Sequence, residues 1–138
     1  PSESFDAIMS VDTIYLYDDL RELVHQMRPW LRHEGQFLIL YSYSVLEENN
    51  DSHNALLPEN TPLGQVLIQS NLSITSWDLT EQDYQHQQRK KHLAEEFRSL
   101  FEAEDLLFIY ENRFAEGRDY SAAFEAGRHC RYLYRATI

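Results

Sequence analysis

Two apolar runs, FDAIMSVDTIY at residues 5–15 and GQFLILYS at residues 35–42, decide the fold of this chain. Both carry apolar side chains on both faces, which is typical of strands that are covered on both sides in a parallel sheet. The segment between them predicts a helix of about five turns, because apolar residues recur there at helical spacing. The stretch therefore predicts a βαβ unit in which Gly35 ends the helix.

Polar and aromatic residues follow each predicted strand, where ligands bind in open parallel sheets. Asp12, Thr13 and Tyr15 follow the first strand, and 42–44 follow the second. Asp12 is the sharpest candidate, because a short carboxylate there can hold a ligand hydroxyl or amine. A cap or turn role explains Asp12 equally well.

Aromatic residues at the same strand ends can form the wall of a pocket. Tyr15 lies after the first strand, and Tyr41 and Tyr43 end the second. Ordinary core packing accounts for some of them. Three further residues are substrate-binding candidates if the helices near the C-terminus fold over the pocket as a lid: Trp77, Tyr110 and Arg113.

The rest of the chain alternates helical and strand patterns. A polar stretch at residues 47–54 predicts a loop, Thr61 and Pro62 open a short helix, and residues 72–79 alternate as a strand. Helical patterns follow at residues 80–101 and 104–126, and residues 128–138 form a last strand. Each of the two long helices is expected to bury one apolar side, formed in the first by Leu93, Phe97, Leu100 and Phe101.

Composition restricts the partners of this chain. The 138 residues suit one domain, and a net charge of -11 disfavours nucleic acid, whose phosphates need cationic surface. No apolar run is long enough to predict a membrane span. The single cysteine, Cys130, excludes an internal disulfide and indicates a reducing, cytoplasmic setting, with Cys130 as a small core residue.

Several reaction classes lack their motifs. The four glycines fit neither a dinucleotide-binding loop nor a P-loop, and Ser42 and Ser44 lie outside any G-x-S-x-G elbow. The six histidines lack zinc-ligand spacing, so we expect no metal site. Asp51 and His53 are a candidate cation site, but a polar loop is the favoured interpretation of this stretch. The pattern assigns no catalytic residue.

The chain nevertheless resembles a known family over about residues 5–44. A strand beginning Phe5-Asp6, the helix after Asp18 and the turn at residues 31–35 are similar to the middle of class I S-adenosylmethionine-dependent methyltransferases. Those enzymes typically show a Leu-Lys-Pro-Gly-Gly turn before the next strand. The turn here, Leu-Arg-His-Glu-Gly, matches it in the Leu, the basic residue and the last Gly.

The resemblance implies an α/β fold with a partial doubly wound, Rossmann-like sheet. The first strand here would be the fourth of the family, and the fifth to seventh would follow, the last one antiparallel. Residues 81–126 would be a helical insertion, or lid, between the last two strands. Residues 1–138 would form a single domain, the C-terminal half of a methyltransferase fold.

The resemblance also implies a cofactor and a role for the chain. In the complete protein, Ser10, Asp12 and Thr13 would contact S-adenosyl-L-methionine, and a small molecule would accept the methyl group. Neither the glycine-rich loop nor the ribose-binding acid of the family has a place in this sequence, so we expect the chain to be inactive alone. The unpaired edge of strand 5–11 would then favour homo-oligomers.

Two other readings remain open. A non-enzymatic binding or oligomerisation module would use the helical pair and the edge of the first strand. A flavodoxin-like or hydrolase-like domain is disfavoured, because the phosphate loop of the former and the nucleophile elbow of the latter are missing.

Overall fold

The computed structural model of the chain describes residues 2–45 and 52–138, in which one four-stranded sheet is formed. The strands are β1 (Phe5–Val11), β2 (Leu31–Ser44), β3 (Ser73–Asp78) and β4 (His129–Thr137), in the order β1-β2-β4-β3. β1 and β2 are parallel, whereas β4 is antiparallel to both of its neighbours. The predicted α/β fold, with a mostly parallel sheet and an antiparallel last strand, is confirmed.

Six α-helices connect the strands within the described residues: α1 (Leu20–Met27), α2 (Ser52–Ala55), α3 (Pro62–Gln69), α4 (Thr80–Glu96), α5 (Arg98–Ala103) and α6 (Leu107–Glu125). The predicted short helix at Thr61 is α3, in which the Thr61 hydroxyl accepts a hydrogen bond from the Gly64 amide at 3.1 Å. Helices α4 to α6 form the predicted insertion between the last two strands. No described helix has the length and apolar character needed to cross a membrane.

The connection between β1 and β2 differs from the prediction. Helix α1 has eight residues instead of about five turns, because Pro29 lacks an amide donor and lies in a short 3₁₀ turn, Arg28–Trp30. β2 begins directly afterwards, so Gly35 lies inside a strand and does not end a helix. A Cβ atom at Gly35 would lie 2.8 Å from the Arg32 carbonyl oxygen, where residues 32–35 bulge out of register.

The core lies on one face of the sheet, beneath α1 and α3. Phe37, Ile39 and Tyr134 from the two central strands meet Val24 of α1 and Leu67 of α3 there, all five of them buried. The expectation that β1 is covered on both faces is wrong for this chain. The strand has one neighbour in the sheet, β2, and its residue Met9 is 68% exposed.

The helical insertion also departs from the prediction. One helix was expected through residue 101, but α4 ends at Glu96 and α5 starts at Arg98. The side predicted to be buried is open: Leu93 is 37%, Phe97 47% and Leu100 56% exposed.

Helix α6, by contrast, runs unbroken through Gly117, where it approaches α4 closely. A Cβ atom at Gly117 would lie 2.9 Å from the Lys91 Cβ and 3.0 Å from the Gln87 carbonyl oxygen. Glycine is therefore needed at this position by packing, although it weakens an isolated helix.

Candidate functional site

The ends of three elements meet at one edge of the sheet. Asp12 follows β1 with a left-handed backbone (φ +51°), and Ser42 and Ser44 end β2. Because β4 is antiparallel, its first residues lie at the same edge, and the pairing places Arg131 opposite Ser42 and His129 opposite Ser44. The sheet order therefore brings residues distant in sequence into one polar cluster.

Arg131 links the ends of β1 and β2. Its Nη2 lies 2.9 Å and 2.7 Å from the two carboxylate oxygens of Asp12, and its Nη1 donates to the Ser42 hydroxyl at 2.8 Å. The Arg131 side chain is 14% exposed, whereas that of Asp12 is 48% exposed. Arg131 thus holds the Asp12 carboxylate in place, while about half of the Asp12 side chain stays exposed to solvent.

A second chain of hydrogen bonds runs from α4 through β4 to β2. The His129 Nε2 lies 3.2 Å from an Asp83 carboxylate oxygen, and its Nδ1 lies 2.8 Å from the Ser44 hydroxyl. Because an ionised Asp83 can only accept, a neutral His129 ring would carry its proton on Nε2, and its Nδ1 would then accept from Ser44. Ser44, Tyr120 and Asp119 line a cavity of about 240 Å³, so this proton path reaches solvent.

Asp83 is held as a carboxylate although it is buried. Burial alone would raise its pKa, but the hydrogen bond from His129 and the charge of Arg131, at 3.7 Å, outweigh burial and lower the pKa below its ordinary value. The site therefore keeps a fixed negative charge behind the His129 ring at neutral pH.

The tyrosines of the cluster stack and stay protonated. Tyr15 stacks on Tyr41 with ring centroids 5.3 Å apart, and the Ser42 amide donates to the Tyr15 hydroxyl. Burial raises the pKa of Tyr15, and burial with the neighbouring Tyr15 and Tyr43 raises that of Tyr41 to about 12. The Tyr120 ring meets His129 edge-on at 5.1 Å. These rings wall the site and supply no base at neutral pH.

The structure brings together several of the predicted site residues. The Ser10 and Thr13 hydroxyls lie 3.0 Å apart and line a cavity of about 150 Å³, whose lining includes neither Asp12 nor the stacked Tyr15 and Tyr41. Tyr43 lies at the end of β2, opposite Cys130, and packs partly against the core.

The remaining predicted residues have their described contacts elsewhere. Trp77 lies on β3 and is 47% exposed. Tyr110 lies under the Arg98 guanidinium at 5.2 Å, and Arg113 pairs with Glu116 at 2.9 Å. Their part in a substrate site stays a prediction that depends on closure of the helical insertion.

Sequence reasoning missed Asp83, His129 and Arg131. Asp83 has the position of an ordinary helix N-terminal acid, and the other two lie on the face of β4 opposite the core residues. The signal that could have found them is strand order, because an antiparallel strand beside β2 places its first residues at the ligand edge. Among residues 2–45 and 52–138 no cluster of three metal-ligating side chains is present. The weaker Asp51 and His53 reading includes Asp51, which lies outside those ranges.

The likeness of this chain to other proteins is structural. No protein-family model matches it, and no curated relative matches it in sequence. Phosphoethanolamine N-methyltransferase 2 of Haemonchus contortus, solved with phosphomonomethylethanolamine and S-adenosylhomocysteine, matches with a TM-score of 0.76 at 16% identity. A Galdieria sulphuraria protein assigned as a sarcosine dimethylglycine methyltransferase matches with 0.75 at 14% identity. The cyclopropane synthase MmaA2 of Mycobacterium tuberculosis matches with 0.78 at 12% identity.

Each match covers 99% of this chain, whereas the chain spans 34%, 54% and 56% of those three proteins in the same order. Identities this low show shared architecture and leave the chemistry open. The chain has the fold of part of an S-adenosylmethionine-dependent methyltransferase, as the resemblance of residues 5–44 implies.

Proposed function

We propose that this chain supplies the C-terminal half of an S-adenosylmethionine-dependent methyltransferase that acts on a small molecule. The observation that carries the proposal is the structural match over 99% of the chain, at a TM-score of 0.76, to a methyltransferase solved with S-adenosylhomocysteine. The polar cluster supports it, because it lies at the carboxyl ends of β1 and β2, where sheets of this type bind ligands. In this proposal the chain alone is inactive.

The residues after β1 suit the polar groups of such a cofactor. Asp12 is half-exposed and held by Arg131, and Ser10 and Thr13, which flank it in the sequence, form a hydrogen bond with each other through their hydroxyls. A fixed carboxylate with free acceptor capacity can bind hydroxyl or amino groups, and the two hydroxyls can donate or accept. S-adenosyl-L-methionine, when bound, supplies a methyl group activated on a sulfonium. The protein then has to hold the acceptor in line and exclude water, for which the stacked Tyr15 and Tyr41 are suited.

His129 is the proposed proton acceptor. An amine or hydroxyl acceptor loses a proton, and Ser44 offers its hydroxyl to the 240 Å³ cavity while it donates to His129. Asp83 stabilises the imidazolium that results. Tyr43, Trp77, Tyr110 and Arg113 are proposed to contact the acceptor, the last three upon closure of the insertion.

The test compares Asp12, which follows β1, with Asp6, which lies in β1, in a protein that contains this chain together with the sequence preceding it in its gene. Asp12→Asn should weaken binding of S-adenosylhomocysteine in calorimetry about tenfold or more. Asp6→Asn should leave binding unchanged, since Asp6 is 82% exposed and its ion pair within the described residues is with Arg32. The 138-residue chain alone should give no heat. If the longer protein does not bind either, the proposal fails.

A second candidate, a binding or oligomerisation module, is favoured by the open edge of β1. Phe5 is 43%, Met9 68% and Val11 50% exposed, and unpaired apolar strands recruit other chains. We propose homo-oligomers through this edge as the behaviour of the isolated chain. A monomer by light scattering at high concentration would count against it.

The remaining partner proposals follow from charge and burial. A net charge of -11 disfavours nucleic acid. Burial raises the pKa of the single cysteine, Cys130, to about 12, which keeps the thiol protonated and supports a structural role in a cytoplasmic protein. We propose no membrane partner for the site at the strand ends.

A further inference from the structure

The helical insertion contains an apolar groove apart from the polar cluster. Its volume is about 440 Å³, within the size range of small-molecule sites. The apolar side chains that line it come from α4, α5 and the residue between them: Leu93, Ala94, Phe97, Leu100 and Phe101. Of these, only Ala94 is fully buried.

Two positions in these helices, Gly117 and Phe97, shape the groove. At Gly117, α6 lies against α4 so closely that a Cβ atom would be 2.9 Å from the Lys91 Cβ. At Phe97 the chain leaves the helical conformation (φ −96°, ψ 11°), so that α5 starts as a separate helix. Arg113, one turn before Gly117, already lines the groove. Helices α4 and α6 are thus in close contact near Gly117, whereas the groove lies open where α4 ends, just before Phe97.

The rim of the groove is cationic in an acidic chain. Lys90 and Arg113 line it, and both pair with the same oxygen of Glu116, each at 2.9 Å. Two positive charges that share one carboxylate leave an excess of one positive charge at the mouth. The whole chain carries -11, so this positive rim is a local feature.

We propose that this groove binds an anionic amphiphile with a single alkyl chain, of which a fatty carboxylate is the simplest case. The alkyl chain would lie on Leu93, Phe97 and Leu100, and the carboxylate would bind at Lys90 and Arg113. A second copy of the chain fits less well, because a symmetric contact would bring two cationic rims together. The site needs neither S-adenosylmethionine nor the strand ends, so it can be tested without the proposed methyl transfer, although Arg113 is assigned to both.

Calorimetry of the 138-residue chain with laurate, below its micelle concentration, tests the proposal. Saturable binding to one site should weaken about threefold to fourfold for each methylene removed, as expected for buried alkyl chain. Dodecyltrimethylammonium, whose alkyl chain is one methylene longer than that of laurate and whose charge is opposite, should bind at least about fivefold more weakly. Equal binding of the two probes, or no binding of laurate, would overturn the proposal.

Matched variants locate the site. Leu100→Glu should abolish laurate binding, whereas Phe108→Glu should not, because Phe108 is similarly exposed (60% against 56%) but lies outside the groove. Arg113→Gln should weaken binding about threefold to fivefold, whereas Arg32→Gln should not. The two arginines are matched in exposure, 52% and 53%, and each pairs with a carboxylate.

Two results with these variants would contradict the assignment. Binding that survives Leu100→Glu would place laurate elsewhere. A dimer of the wild-type chain that Leu100→Glu converts to monomer in light scattering would show that a second copy fills the groove.

Discussion

The sheet layer and the helical insertion differ in which types of residue they bury. In the sheet layer the buried positions are large and apolar, as at Phe37, Ile39 and Tyr134. In α4 and α6 the buried positions are small or polar, namely Asp83, Gln87, Ala94, Gly117 and Ser121. Several large apolar residues of the insertion, among them Phe97 and Leu100, are exposed, and others such as Phe114 are only partly buried.

This difference indicates that the sheet layer supplies most of the stability, whereas the insertion supplies a surface for ligand binding. Burial of large apolar side chains is the main source of folding free energy, so the sheet layer should carry most of it. The contact between α4 and α6 relies on close backbone approach at Gly117 and on polar pairs such as Gln88 with Ser121, at 2.8 Å. The insertion thereby leaves an apolar side unburied that can meet a ligand.

The same substitution in the two regions gives the largest contrast. Leu67→Ala should lower the free energy of unfolding by about 4 kcal/mol, because Leu67 is fully buried beneath the sheet. Leu100→Ala should change it by less than about 0.5 kcal/mol, because Leu100 is 56% exposed. Urea unfolding measures both. Equal losses would show that the insertion is as closely packed as the sheet layer.

Substitution of one glycine in each region tests the same difference at positions where a neighbouring residue approaches the glycine closely. A Cβ atom at Gly64 of α3 would lie 1.9 Å from the Pro58 carbonyl oxygen, so Gly64→Ala should cost about 3 kcal/mol of folding free energy or more. Gly117→Ala should cost about 1–2 kcal/mol, because the Lys91 Cβ and the Gln87 carbonyl oxygen must shift, whereas the gain in helix propensity offsets part of that cost. Thermal unfolding of both variants is the measurement, and a larger loss for Gly117→Ala would reverse the comparison.

The polar cluster joins the two regions, and its stability should depend on pH. Asp83→Asn should cost about 2 kcal/mol at pH 7, because Asp83 is a buried charge between His129 and Arg131. The pKa of Asp83 is lower in the folded than in the unfolded chain, so its contribution is present above about pH 4 and lost as pH falls through the folded pKa.

Urea unfolding at pH 7, 5 and 3 checks this sign. The difference in stability between wild type and Asp83→Asn should be full at pH 7 and should shrink towards pH 3. Asp119→Asn serves as the control, since Asp119 is 67% exposed and its ion pair among the residues that the structure describes is with its neighbour Arg118. A difference that grows towards acid would contradict the assignment of a lowered pKa.

The smallest effect on stability is expected at Asp12. The ion pair with Arg131 is half-exposed on the Asp12 side, so Asp12→Asn should cost less than about 1 kcal/mol in urea unfolding. A loss as large as that of Asp83→Asn would make Asp12 a structural residue and would remove it from the site.

The sequence predicts much of the sheet, because strand patterns are local. β1, β3, β4 and the strand end at Asp12 follow from apolar runs, and the resemblance of residues 5–44 leads to the fold. The second strand was predicted to end before residues 42–44, but β2 runs on through them to Ser44. The position of β4 between β2 and β3 depends on contacts between residues distant in sequence. The sequence pattern therefore does not predict the pairing of Arg131 with Asp12. The exposed side of α4 was missed for a related reason: apolar periodicity indicates a face and does not say what covers it.

One measurement tests the central claim, that ligand chemistry at the strand ends is separate from the groove of the insertion. Backbone amide shifts should be followed in a protein that contains this chain with its preceding sequence, during titration with S-adenosylhomocysteine. The account predicts shifts at Ser10, Asp12 and Thr13, and none at Leu93, Phe97 or Leu100. Shifts confined to the groove residues, or no shifts after β1, would contradict it.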